Sequence, residues 1–169
     1  MVIGNWLALL QRQSPTQQPI GWDEVVVGYD FGFLKPEEIQ NWVRDSGFTG
    51  EACLHLGTLS DPGLKTFEAC LWRAAAEVTG KAPRPGGQRW AKAQDRWRAA
   101  LLRDMLEAPL SLEALGVAVE TLYERVGCPE DMLGLWSSPS PWQKGIPVAK
   151  RPAIEAFLVR TERNLATAS

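Results

Sequence analysis

The stretch Leu112–Trp136, LEALGVAVETLYERVGCPEDMLGLW, decides the fold. Leu112, Leu115, Val119, Leu122 and Val126 recur at steps of three and four, which places them on one face of a helix. Gly127-Cys128-Pro129 interrupts that period, and Pro129-Glu130-Asp131 sets a proline and two acids where a second helix would begin. The segment therefore reads as a helix, a break and a new helix start, with no catalytic motif in it. Gly21–Arg44 has the same character. Trp22, Val26, Tyr29 and Phe33 keep helical spacing; Val25-Val26-Val27 alone would suit a strand, but the segment's length and the acidic first turn Asp23-Glu24 favour helix. Pro36, Glu37 and Glu38 open a second helix striped by Ile39, Trp42 and Val43, and Gly47 ends it.

Outward from these segments the pattern repeats. Asp61-Pro62 is expected to cap a helix through Leu64, Phe67, Leu71 and Val78 that stops at Gly80. Residues 80–87, rich in glycine and proline, form a loop. Between Gln88 and Glu107, Trp90, Trp97, Leu101 and Met105 fall on one side of a helix, and Arg89, Lys92, Arg96 and Arg103 on the other. Residues 137–147 are a Ser/Pro-rich connection, and Ile154, Phe157, Leu158 and Leu165 stripe a last helix. Residues 2–10 read as a short helix and Ser14–Pro19 as a polar, proline-broken linker. The expected fold is all-α, a single compact domain of short antiparallel amphipathic helices over residues 20–169, preceded by a short helix and linker in 1–19. Its expected core holds Trp22, Trp42, Trp72, Trp97, Leu115, Leu122, Ile154 and Phe157.

A chain of 169 residues buries about 70% of its unfolded surface, enough to fold without disulfide or metal staples. Three widely spaced cysteines, Cys53, Cys70 and Cys128, cannot all be paired and are read as small buried hydrophobes in a reducing cytosol. No long apolar run suggests a membrane span, and Val2–Leu10 lacks the charged leader and cleavage site of a signal peptide. Charge is unevenly placed. Residues 1–61 carry eight acids against three bases, whereas residues 81–103 carry seven bases against one acid. Such asymmetry steers a charged partner or is satisfied within the fold.

Groups able to carry chemistry are sparse. His55 is the only histidine, so a site built on several imidazoles is excluded. Cys53 and His55, two apart, point to different faces of a helix. Glu120 and Glu124 lie one helical turn apart, a spacing that suits a divalent ion or acid–base work, but a solvated helix face is the commoner explanation. Gly86-Gly87 lacks the strand and lysine of a phosphate loop, and no serine sits in a nucleophile elbow. No cofactor, no metal and no enzymatic activity are expected. Eight tryptophans are unusual; Trp90 and Trp97 beside the basic stripe raise base stacking with phosphate contact, yet both lie on the apolar side, where core packing is simpler.

Trp22–Trp42 with its turn at Gly32-Phe33-Leu34, and the later run through Pro109-Leu110, Val119-Glu120, Leu122-Tyr123 and Cys128-Pro129-Glu130-Asp131-Met132, resemble the two signatures of a small bacterial family, domain of unknown function 2247. Leu135-Trp136-Ser137-Ser138-Pro139 departs from the aromatic-Met-Pro turn of that family. The resemblance implies a compact helical bacterial protein and brings no catalytic residues with it. By class-level analogy such proteins often neutralise toxins. The expectation is thus a protein-binding module of immunity type, whose Asp23, Asp30, Glu37, Glu38 and Asp45 pair with the basic cleft of a toxin domain while surplus tryptophans anchor the contact. The alternatives are a nucleic-acid-binding protein using the basic helix of residues 88–104 through Arg89, Lys92, Arg96 and Arg103, and a purely structural interaction protein.

Overall fold

The structure, a computed structural model, describes residues 5–15, 18–61, 63–138 and 145–167. Among them the chain is predominantly helical, as its periodicity predicts, with eight α-helices and one two-stranded sheet: α1 Trp6–Gln13, α2 Trp22–Asp30, α3 Pro36–Asp45, α4 Glu51–Thr58, α5 Leu64–Thr79, α6 Gln88–Glu107, α7 Leu112–Arg125 and α8 Arg151–Thr167, with β1 Trp136–Ser137 and β2 Val148–Ala149. No described helix is long and apolar enough to cross a membrane. Contacts divide the chain into two compact units, Met1–Leu7 with Pro19–Gln94 and Ala8–Gln18 with Asp95–Ser169.

In the first unit, α2 packs on α5, and α4 packs on both α3 and α5. Glu24 and Glu38 each reach back three residues to accept the backbone N–H of Gly21 (2.9 Å) and Lys35 (2.8 Å), closing the first turns of α2 and α3. The Val25–Val27 run is helical and wholly buried. Phe33 lies beyond α2: the chain turns at Gly32 (φ 72°), and the N–H groups of Phe33 and Leu34 both donate to the Gly28 carbonyl. Trp22 is buried against the rings of Trp42 and Phe48, whose centroids lie 5.0 and 5.2 Å away. Trp42 and Trp72 are only half-buried, so they border the core that was expected to enclose them.

Helix α4 has no counterpart in the sequence reading. Its eight residues bury Cys53, Leu56 and Gly57, the spacing of one helical face, but a helix so short is marginal by itself. Neighbours hold both of its ends. Gln40 donates to the carbonyls of Leu56 and Leu59 (3.0 and 2.8 Å), Arg44 donates to that of Gly57 (2.7 Å), and Glu77 receives the N–H groups of Ala52 and Cys53. The start of α5 also differs from expectation. Asp61 adopts a left-handed φ of 42°, not the extended conformation of a cap, so the helix begins only at Leu64 after Gly63. Pro62 lies outside the described residues.

The second unit is organised by α7. Ser111 Oγ accepts the Ala114 N–H at 3.1 Å to start it, and Gly127 (φ 85°) follows its end. The restart at Pro129 yields one tight helical turn, Glu130–Met132, and no longer helix. The ends of the Ser/Pro-rich connection pair as an antiparallel hairpin, Trp136 opposite Ala149 and Ser137 opposite Val148, which packs on α7; its middle, 139–144, lies outside the described residues. Leu115, Leu122, Ile154 and Phe157 are buried as expected. Helix α1 begins at Trp6 and runs to Gln13, later at both ends than residues 2–10.

The centre of α6 departs from a two-sided pattern: every residue from Arg96 to Leu102 is buried, two arginines included. Arg98 hydrogen-bonds Asp131 at 2.7 Å and Asp95 at 2.5 Å, and its guanidinium lies 5.1 Å from the Phe157 ring centroid. Burial opposes its charge, but the two aspartates more than offset that, and the guanidinium is held above its usual pKa.

Candidate functional site

The five acids singled out from sequence have separate fates. Asp23 is paired with Arg89 (Nε to Oδ2, 2.9 Å), and Glu38 is held by the Lys35 N–H. Asp30, Glu37 and Asp45 face solvent without an ion pair among the described residues. Glu37 and Asp45 lie two turns apart on α3, where the helical period keeps them near one face. Asp30 lies at the end of α2 beside Glu68 of α5; partial burial, and then this like charge, raise its pKa. The structure thus joins Asp30 to Glu68 and leaves two of the five acids engaged within the fold.

The basic stripe is also largely engaged. Arg89 binds Asp23 and also donates to Thr79 Oγ1 at 3.1 Å. Arg96 is 3% exposed and donates to Ser14 Oγ at 2.8 Å and to the Gln18 carbonyl. Arg103 pairs with Glu162, and Lys92 is half-buried with an interaction of its own. The tryptophans behave likewise. Trp6, Phe33, Phe31, Trp90 and Trp72 form a run of neighbouring rings in the first unit, Trp97 is fully buried, and Trp136 packs on Tyr123. None of the seven described tryptophans is exposed, which is the core-packing reading.

A feature that sequence reasoning missed lies between α4 and α5. An open cleft of about 730 Å³ is lined by Glu51, Ala52 and His55 from α4 and by Arg73, Ala76 and Glu77 from α5. The two helices run antiparallel there, since Glu77, near the end of α5, caps the start of α4. The four charged or titratable linings form two pairs with a spacing of four residues, Glu51 with His55 and Arg73 with Glu77, and Ala52 and Ala76 complete the lining. Those spacings were legible, but α4 was not, and without it His55 had no neighbours. Glu77 is held below the usual carboxylate range, chiefly by the Ala52 N–H and further by that of Cys53. Arg73 has no ion pair among the described residues.

Cys53, Glu120, Glu124 and Gly86 are not among the residues that line this cleft. Cys53 is fully buried with its thiol 3.9 Å from the Ala74 carbonyl, while His55 is exposed, so the two do point to different faces of α4. Glu120 and Glu124 lie on α7 in the other unit, and no group of three or more potential metal ligands occurs among the described residues. Gly86, with φ 79°, belongs to the loop before α6. Comparison with protein-family models, curated proteins and solved structures finds no match to this chain.

Proposed function

We propose that this chain is a non-enzymatic protein-binding module, specifically an immunity-type protein that covers a basic surface of a bacterial toxin domain. One observation carries the choice between binding classes. The guanidiniums of Arg89, Arg96 and Arg103 are engaged within their units, whereas Asp30, Glu37 and Asp45 stay solvent-facing and unpaired. Phosphate binding would need the first set free, and steering toward a basic partner needs the second. The seven described tryptophans play no part in this reading, because none of them is exposed.

The test is co-expression with the product of the adjoining open reading frame. Rescue of growth by this chain, with affinity reduced about tenfold and made less salt-sensitive by Glu37→Lys with Asp45→Lys, is the expected result. Glu38 is left intact in that variant because it closes α3. Toxicity that persists unchanged in the presence of this chain would end the immunity reading for that pair.

A further inference from the structure

We infer that the cleft between α4 and α5 is a binding site for a small zwitterion, an amino acid whose ammonium and carboxylate are separated by a short aliphatic spacer. The inference is independent of the protein-binding proposal and begins with helix register. Glu77 meets the N–H groups of Ala52 (3.1 Å) and Cys53 (3.2 Å), so the last turn of α5 lies against the first turn of α4. Glu51 belongs to that same end. One turn further along α4 comes His55, and one turn back along α5 comes Arg73, both lining the same cleft. The opening therefore has a carboxylate end and a guanidinium–imidazole end, carried on each helix by residues one turn apart, whose Cβ atoms are roughly 5–6 Å from each other.

Between the two ends lie only Ala52 and Ala76, whose small side chains leave the volume open. That volume, about 730 Å³, is within the range of small-molecule sites. Charge selects the class of ligand. A simple anion drawn to Arg73 would also meet Glu51 and Glu77, and a simple cation drawn to them would meet Arg73. A molecule carrying both charges satisfies both ends: its carboxylate takes the guanidinium fork, and its ammonium lies between the carboxylates. Arg73 is available for this because neither Glu77 on its own helix nor any other described acid pairs with it.

His55, the only histidine, supplies a single resolvable imidazole signal for proton NMR. The full chain is titrated separately with γ-aminobutyrate, acetate and butylammonium. The expected result is a saturable shift with γ-aminobutyrate at a millimolar dissociation constant, about tenfold tighter than either half-probe. Arg73→Gln should abolish it and Glu51→Gln weaken it, with unchanged far-UV circular dichroism, since both side chains are exposed. Absence of a saturable shift, equal response to acetate, or an Arg73→Gln protein that responds like the parent would each overturn the assignment.

Discussion

Glu77 lies 24 residues from Cys53, yet its Oε2 accepts the Cys53 N–H at 3.2 Å. This contact closes the first turn of a helix that local sequence alone does not sustain. Because the carboxylate accepts backbone hydrogen bonds only in the fold, its pKa is lowered there. A lowered folded-state value means that the cap's contribution is present above the unfolded value and is lost as pH falls through the folded one. Stability should thus decline as pH drops below about 4.5, the ordinary value for this group. Glu77→Gln should lower Tm by a few degrees at neutral pH and flatten that acid limb, as thermal melts across pH would show.

Gly50 makes room for the same carboxylate. A Cβ there would come within 2.1 Å of Glu77 Oε2, although the backbone, at φ −64°, would accept any residue. Since the obstacle is the far end of a mobile side chain, Gly50→Ala should displace Glu77 without breaking the helices. The expected effect is a Tm loss similar to that of Glu77→Gln, with the double variant little worse than either single one. Additive losses would show that Gly50 acts through something other than the cap.

How far the sequence discloses this architecture depends on where each element draws its stability. The boundaries of α6 are legible because the Gly/Pro loop before it and Pro109 after it are local signals. Helix α4 is not, because Gln40, Arg44 and Glu77 hold it from α3 and α5. The cleft shares that obscurity, as its two walls become neighbours only once α4 exists. Arg96 misleads for a different reason: spacing assigns a charged residue to a helix face, but its burial depends on partners, here Ser14 and Gln18, that no local pattern specifies.

Thiol chemistry follows the same burial. Cys53 is fully enclosed, and burial, with Glu77 adding to it, pushes its thiol up to about 11; Cys128, expected to be buried like the other two, is instead exposed, because it lies beyond the end of α7 after the turn at Gly127. Iodoacetamide at neutral pH should label Cys128 first and Cys53 only after unfolding, with mass spectrometry locating the adducts. A raised folded-state value also means that stability contributed by the protonated Cys53 is full below about 9 and fades as pH climbs toward 11. Cys128→Ser should remove the rapid native labelling; rapid alkylation of Cys53 in the folded chain would contradict the packing of α4 on α5.

Two helical glycines should respond in opposite directions to alanine. At Gly116 of α7 a Cβ would lie 2.2 Å from the Pro147 carbonyl oxygen, a backbone atom of the segment leading into β2. Gly116→Ala should therefore cost about 2 kcal/mol by forcing the hairpin away from α7. At Gly57 of α4 the nearest atoms would be Arg44 Cγ and Val43 Cγ1, at ordinary contact distances of 3.5 and 3.6 Å. Gly57→Ala should gain up to about 1 kcal/mol from helix propensity alone. Urea titrations measure both, and a stabilising Gly116→Ala would mean that β2 does not rest on that glycine.

Single-stranded RNA or DNA offers the sharpest test of the basic helix. If Arg89, Lys92, Arg96 and Arg103 contacted phosphate, affinity would fall steeply with salt, and each lost cation would reduce the slope by about 0.7 for a single strand. Arg96 is buried and held by Ser14 and Gln18, Arg89 is clamped by Asp23, and Arg103 is paired with Glu162. Presenting Arg96 to a phosphate backbone would require breaking its buried contacts, and loss of a hydrogen bond from a buried charged group costs roughly 1.5–3 kcal/mol. Arg89 and Arg103 are each more than a third exposed, so their pairs are screened by solvent and cost less to break. Fluorescence anisotropy at physiological salt should accordingly detect no submicromolar binding. Arg96→Ala should act on stability, lowering the unfolding midpoint. Submicromolar binding whose salt slope shrinks with each removed arginine would reverse this conclusion and place nucleic acid ahead of a protein partner.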